Sequence, residues 1–386
     1  AKLADTTRRF QTLIVESDST LKAAGFSTYA SFKARYSKTG NPKSHSDSLW
    51  LYMAYHISTG ASYLPDIINS PTLYTLAPSE VVTTKLIGQN ILLNDDEFAG
   101  VAEPGVEINR TFSDVTTANG VFHEAKKPFS IKVRSPFPVY WDVADQPELR
   151  ANPKWRGAAA ASISLIANSA SILNGVIFNA PTKLTTSTTY DYVTVPNATR
   201  KYNANDFFNL SMGNNTARAQ WIELRTPMLV KGKYKVWICY AQSTSAVAVQ
   251  VGVDVGRPAE QLLPNIVDFR QYLGSSGINS TTAALPSADA LMLTNGFKRY
   301  MALTTDVAGT LKGANSANGS GWDQCVGRLA GTVDIQTTDR HWIRLTNIIT
   351  GGGTSQTWLD MIHFIPVDAD QNYPRFSTQG VQFNRP

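Results

Sequence analysis

An α+β domain over residues 1–136, followed by an all-β sandwich over 137–386, is the fold class this chain predicts. Length, composition and apolar spacing carry the prediction. At 386 residues the chain exceeds one ordinary domain of ~150 residues, and each part is long enough to bury its own core. Hydrophobic content of 42% against 17% charged residues excludes a disordered chain. Apolar spacing changes along the sequence, from near-helical in the first third to strict alternation further on.

The elements follow in order. Asp18-Ser-Thr-Leu-Lys-Ala-Ala-Gly25 reads as a short capped helix that stops at glycine, and Ser46 to Ile57 carries Leu49, Trp50, Met53, Tyr55 and Ile57 at near-helical spacing. From Tyr74 the pattern turns to strands punctuated by Pro78, Gly88, Asn94-Asp95 and Gly105. Prolines between Pro128 and Pro138 mark the junction, because proline interrupts both helix and ladder. Beyond it, helix signals are few, and 157–173 fits helix or strand. Alternation then dominates: Trp221 to Thr226, Gly232 to Tyr240, Val247 to Asp254, Arg328 to Ile335, His341 to Leu345 and Trp358 to Ile365. In the second of these, Tyr234, Val236, Ile238 and Tyr240 form an apolar side while Lys233, Lys235 and Trp237 face the other way, as in a sheet wetted on one face. The stretches 260–296 and 308–321 read as long loops, where function concentrates.

Several function classes find no support. The formal charge of +5 comes from scattered pairs such as Arg8-Arg9 and Lys298-Arg299, without the basic stripe that nucleic acid needs. No apolar run approaches the ~20 residues of a membrane span. There is no nucleophile elbow, phosphate loop or dinucleotide fingerprint, so no catalytic residue, cofactor or metal is assigned and the chain is expected not to be an enzyme. The five histidines, His45, His56, His123, His341 and His363, never take the spacing of a helical zinc site. Asp95-Asp96-Glu97 and the pair Asp368 and Asp370 read as solvated turns in preference to calcium sites. Cys239 and Cys325 are too few for a disulfide scaffold; they are either buried thiols or one bridge, worth ~4 kcal/mol by the chain-entropy estimate.

Five segments across residues 10–133 resemble the boxes of fasciclin-like domains: Thr12 to Asp18, Tyr55-His56-Ile57, Gly88 to Asn94, Ile108 to Asp114 and Asn119 to Glu124. The first departs from the family pattern, with Val15-Glu-Ser where Ala-Pro-Thr is usual. Residues 220–366 resemble carbohydrate-binding-module jelly rolls of the galactose-binding type through Gly232 to Val236, Val249 to Asp254, His341 to Leu345 and Leu359 to Pro366. Together they resemble two-domain, often lipid-anchored surface proteins of the Bacteroidetes type. The resemblance implies a fasciclin-like domain that begins inside its boundaries, hence an upstream segment with a targeting signal or anchor, and a place at the cell surface. It implies adhesion or glycan capture. Tyr55 and His56 are the adhesion candidates, for contact with a neighbouring surface protein; the competing reading buries both rings in the core.

Sugar rings present apolar C–H faces that stack on aromatic rings while amides and carboxylates bond the hydroxyls. Trp322, with Asp323 and Gln324 beside it in a glycine-rich stretch, is the leading glycan-binding candidate, followed by Tyr272 and Tyr300. Trp221, Trp237, Trp342 and Trp358 alternate with apolar neighbours and are expected in the core. Glycan capture through sandwich loops is therefore the expected function, with protein adhesion through the first domain as its alternative and a polysaccharide-active enzyme third.

Overall fold

The computed structural model describes residues 10–70, 72–98, 101–132, 134–167, 170–179, 188–194, 201–214, 217–272, 286–302, 325–350 and 356–384. The chain divides into two compact units, residues 1–135 with 336–339 and residues 136–335 with 340–386.

The first unit is mixed α and β. Its eight-stranded sheet runs in the order Ile57–Thr59, Gln11–Val15, Gly120–Ala125, Val106–Asn109, Asn90–Leu93, Val81–Ile87 and Thr72–Tyr74, with Val115–Thr117 as a branch on Gly120–Ala125. Gln11–Val15 and Gly120–Ala125 pair in parallel, and the other described pairs are antiparallel. Asp18–Ala23 is capped by the Ser17 hydroxyl and followed by Gly25 at φ +93°, a left-handed position that glycine adopts without strain. Ser48–Tyr55 starts where the Asp47 carboxylate accepts from the Leu49 N–H at 2.9 Å. Ile14, Tyr55, Ile67, Ile91, Leu93 and Ile108 share one core.

Close backbone approach fixes the parallel pair. A Cβ on Gly120 would collide with the Gln11 carbonyl across the pair. Gly120→Ala is expected to destabilise this unit by about 1–3 kcal/mol, the usual cost of overpacking. An unchanged urea midpoint would show that the pair spreads freely.

The second unit is a β-sandwich. Its larger sheet runs Ala161–Ser164, Thr189–Tyr192, Asp206–Leu210, Thr357–Pro366, Gly232–Ala241, Cys325–Ile335 and Phe297–Lys298, with Val139–Asp142 also pairing on Thr357–Pro366. The smaller sheet runs Val176–Phe178, Trp221–Leu229, Asp339–Asn347, Ala248–Val253 and Gln261–Asp268. Alternation puts Tyr234, Val236, Ile238 and Tyr240 of one sheet into the same core as Ile222, Val251 and Ile343 of the other. The described residues between 157 and 173 form strands, not a helix: Ala161–Ser164, Ile166–Ala167 and Ala170–Ser171.

The larger sheet is not wetted on its outer face along its whole length. Trp237, Cys239, Tyr300, Met301, Met361 and Phe376 form a second buried layer there, covered by the chain around Phe297–Lys298 and by the C-terminal residues around Arg375–Phe376. Both cysteines are buried free thiols. Several polar groups in this layer are paired: Asp289 holds Arg299 at 2.9 Å and Arg375 at 2.8 Å, and Lys298 donates to the Gln371 carbonyl at 3.2 Å, whereas His363, packed against Tyr140 and Phe376, has no hydrogen-bond partner on either ring nitrogen among the described residues.

Beside this layer lies an ionic cluster. Arg156 binds Asp142 at 2.6 Å and Asp206 at 2.7 Å, and Asn203 donates its amide to Asp142 and its backbone N–H to Asp360. One guanidinium therefore serves two carboxylates. Burial first, then the neighbouring Asp142 charge, push Asp206 up to about 7 against the pull of Arg156.

Candidate functional site

The outer face of the five-stranded sheet carries a row of aromatic and charged side chains. In Trp221–Leu229, Ile222 and Leu224 point inward, so Trp221, Glu223 and Arg225 point outward. In Asp339–Asn347, Ile343 and Leu345 are inward, leaving Arg340, Trp342, Arg344 and Thr346 on the face. The Asn347 N–H donates to the Gln220 carbonyl at 2.8 Å, and counting along this antiparallel pair sets Glu223 across from Arg344 and Arg225 across from Trp342. Gly252 lies across from Arg344 on the far side, Leu262 across from Gly252, and Ile177 across from Glu223. Ile177, Leu262 and Ile266 are exposed apolar side chains at the flanks.

Glu223 is the organising group. It is only 2% exposed, and its carboxylate accepts from Arg257 and from Arg344, each at 3.0 Å. The same two arginines lie on the indoles: Arg344 stands 4.1 Å from the Trp221 ring centroid and Arg257 5.2 Å from that of Trp342, which Arg225 also approaches at 5.8 Å. Trp342 is anchored from behind. Asp254 accepts from the Trp342 N–H at 3.0 Å and from His341 Nδ1 at 2.7 Å, and donates its own N–H to the Trp342 carbonyl at 2.7 Å. Although burial alone would raise it, the His341 hydrogen bond and charge hold Asp254 below the usual carboxylate range.

Among the described residues, Arg225, Arg257, Arg340 and Arg344 thus share one face with Glu223 and two partly exposed indoles, with Glu223 and Arg344 set between the indoles. Four residues of strand and one strand spacing separate Trp221 from Trp342, about 14 Å at ~3.3 Å per residue and ~4.8 Å between strands. Flat rings for C–H faces and fixed N–H donors for hydroxyl or carboxylate oxygens stand side by side.

The candidates from sequence fare differently. Trp322, Asp323 and Gln324 lie outside the described residues. Tyr272 is 44% exposed just beyond Gln261–Asp268. Tyr300 is 0% exposed and its hydroxyl donates to Asp360 at 2.7 Å, so it offers no face to a sugar, and no described contact joins it to Tyr272. Tyr55 and His56 are buried as well: the Tyr55 hydroxyl donates to the Val81 carbonyl at 3.0 Å, and His56 bonds the Tyr52 carbonyl and Glu16. Neither is a surface contact. Trp221 and Trp342, expected in the core, are partly exposed on the outer face of the sheet, whereas Trp237 is buried and Trp358 packs partly buried against the second layer. Their signal was parity: Trp221 shares it with Glu223 and Arg225, and Trp342 with Arg344.

No family model matches this chain, and no curated protein matches it. Solved structures do. A family 35 carbohydrate-binding module from Clostridium thermocellum aligns at 14% identity with a TM-score of 0.24, over 60% of this chain and 98% of that one. A Paenibacillus xanthan lyase aligns at 13% identity and TM-score 0.31, over 82% of this chain and 22% of the enzyme. The catalytic domain of a GH87 α-1,3-glucanase in complex with tetrasaccharides aligns at 12% identity and TM-score 0.23, over 56% of this chain and 29% of that one. The site rests on its own geometry.

Proposed function

We propose that this chain is a non-enzymatic cell-surface protein that captures acidic glycan on the outer face of the five-stranded sheet. The carrying observation is the pair Trp221 and Trp342 among arginines organised by buried Glu223. The indoles supply stacking, the arginines meet carboxylate or sulfate groups, and the flat face admits the interior of a chain as readily as its end. Trp322, Asp323 and Gln324 stay in the proposal as a loop contribution. The first unit, read as fasciclin-like, serves as spacer or as a protein-contact surface.

Affinity electrophoresis in gels containing polygalacturonate, dextran sulfate or neutral dextran tests this. Retardation is expected in the two acidic gels, and it should fade as ionic strength approaches about 1 M, where the Debye length is ~3 Å. Equal retardation in neutral dextran would remove the acidic preference, and none in any gel would remove the function. Release of reducing ends from the same polymers would reinstate the enzyme reading.

A further inference from the structure

Two helices near the start of the first unit are left uncovered. Neither Asp18–Ala23 nor Tyr29–Tyr36 contains a buried residue, although helices this short gain stability mainly by burying an apolar face. Phe26, in the chain between them, joins Phe32 and Tyr36 of the second helix and Tyr52 of Ser48–Tyr55 in a partly covered stack, with ring centroids 5.2 Å apart for Phe26 and Phe32, 4.9 Å for Phe32 and Tyr36, and 4.5 Å for Tyr36 and Tyr52. Against the stack lies a cleft of about 750 Å³, open to solvent and lined by Phe26, Phe32, Leu49 and Met53. Tyr29 and Met53 border it and are 66% and 50% exposed. A second cleft of about 360 Å³ is lined from the helices Tyr29–Tyr36 and Ser48–Tyr55 and by Ile131. The rims carry more cations than acids: Lys22 and Lys43 against Asp18 at the first, and Arg35 and Lys38 at the second, where the Glu16 carboxylate is taken up by the Tyr52 hydroxyl and His56.

We propose that these clefts form a docking trough for an acidic peptide segment of a partner protein, presenting leucine or phenylalanine to the aromatic floor and carboxylates to the cationic rims. Two clefts on one helix pair suit an extended or helical segment, whose anchors recur along its length, better than a small molecule, which needs a site that encloses most of its surface. Exposed Met53 adds an adaptable thioether surface for such anchors.

The test uses the full chain and a fluorescein-labelled peptide in which Glu and Asp are interspersed with Leu and Phe, read by anisotropy. Two control peptides replace the acids by Lys or the apolar residues by Ser. Only the acidic, apolar peptide should bind, and Lys22→Glu with Lys43→Glu should weaken it about tenfold or more. Both lysines are exposed, so the fold should tolerate the change. Met53→Asp should weaken the peptide similarly, and Trp342→Ala should leave it unchanged, which separates this site from the glycan face. Absence of binding, equal binding of all three peptides, or unchanged affinity in both the lysine and Met53 variants would overturn the proposal.

Discussion

Trp342→Ala is expected to lower affinity for polygalacturonate roughly 30-fold and to leave the thermal midpoint close to that of the parent protein. The size follows from an aromatic anchor at the centre of a binding face, worth about 2 kcal/mol when truncated, with each 1.4 kcal/mol a factor of ten. The substitution is chosen because it changes no charge. A basic protein retards acidic polymers non-specifically, so loss of an arginine would weaken binding on either account; loss of a neutral ring leaves the net charge unchanged and weakens binding through lost contact with the ligand or through release of the arginines that lie on the ring, both features of this face. Trp342 is partly exposed on the face, and the Asp254 contacts that hold its backbone do not need the indole. Trp221→Ala should act in the same direction. Isothermal titration with an oligogalacturonate checks both, and unchanged affinity in the two variants would remove the sheet face as the site.

The second large effect is on stability. Arg156→Ala strands the Asp142 and Asp206 carboxylates in the interior, and removing one partner from a buried charge cluster costs about 3–5 kcal/mol. In a unit of this size each kcal/mol is worth roughly 2–4 °C, so the melting transition should fall by about 10 °C. The deficit should depend on pH. Burial and the neighbouring Asp142 charge hold the Asp206 carboxyl well above the ordinary 3.8, so as pH rises from there the folded state holds more protons than the unfolded chain and stability falls. Without Arg156 that upward shift grows, and the gap between variant and parent widens from pH 5 to pH 8. Urea midpoints at those two pH values measure the gap, and Asp206→Asn in the Arg156→Ala background should recover part of it. A gap equal at both pH values would mean that lost packing, and not stranded charge, is the cause.

Elements with strong local patterning were legible in the sequence. The Ser17-capped helix, Ser48–Tyr55 and the long strands of the sandwich stand where alternation, helical spacing and caps put them. What escaped was set by distant chain. Tyr29–Tyr36 has no fully buried residue, its aromatic residues pack on Tyr52 of a helix further along the chain, and its capping box closes with Ser31 in place of the usual Glu or Gln. Gln261–Asp268 read as loop because Pro264 interrupts it; it is an edge strand, where proline is tolerated. Tyr300 follows Lys298-Arg299 and looked exposed, but Gln371 and Asp289 accept from those two cations inside the protein. Alternation along these strands marks their inward apolar residues, while the register that aligns the outward aromatic and cationic groups comes from pairing between strands distant in sequence.

The most direct measurement follows the eight tryptophan indole Nε1–H resonances of the full chain while oligogalacturonate is added. Assigned by single Trp→Phe substitutions, the resonances of Trp221 and Trp342 should shift together and saturate at one affinity. Shifts confined to Trp322 or other indoles, with Trp221 and Trp342 unmoved at saturation, would contradict capture on this face.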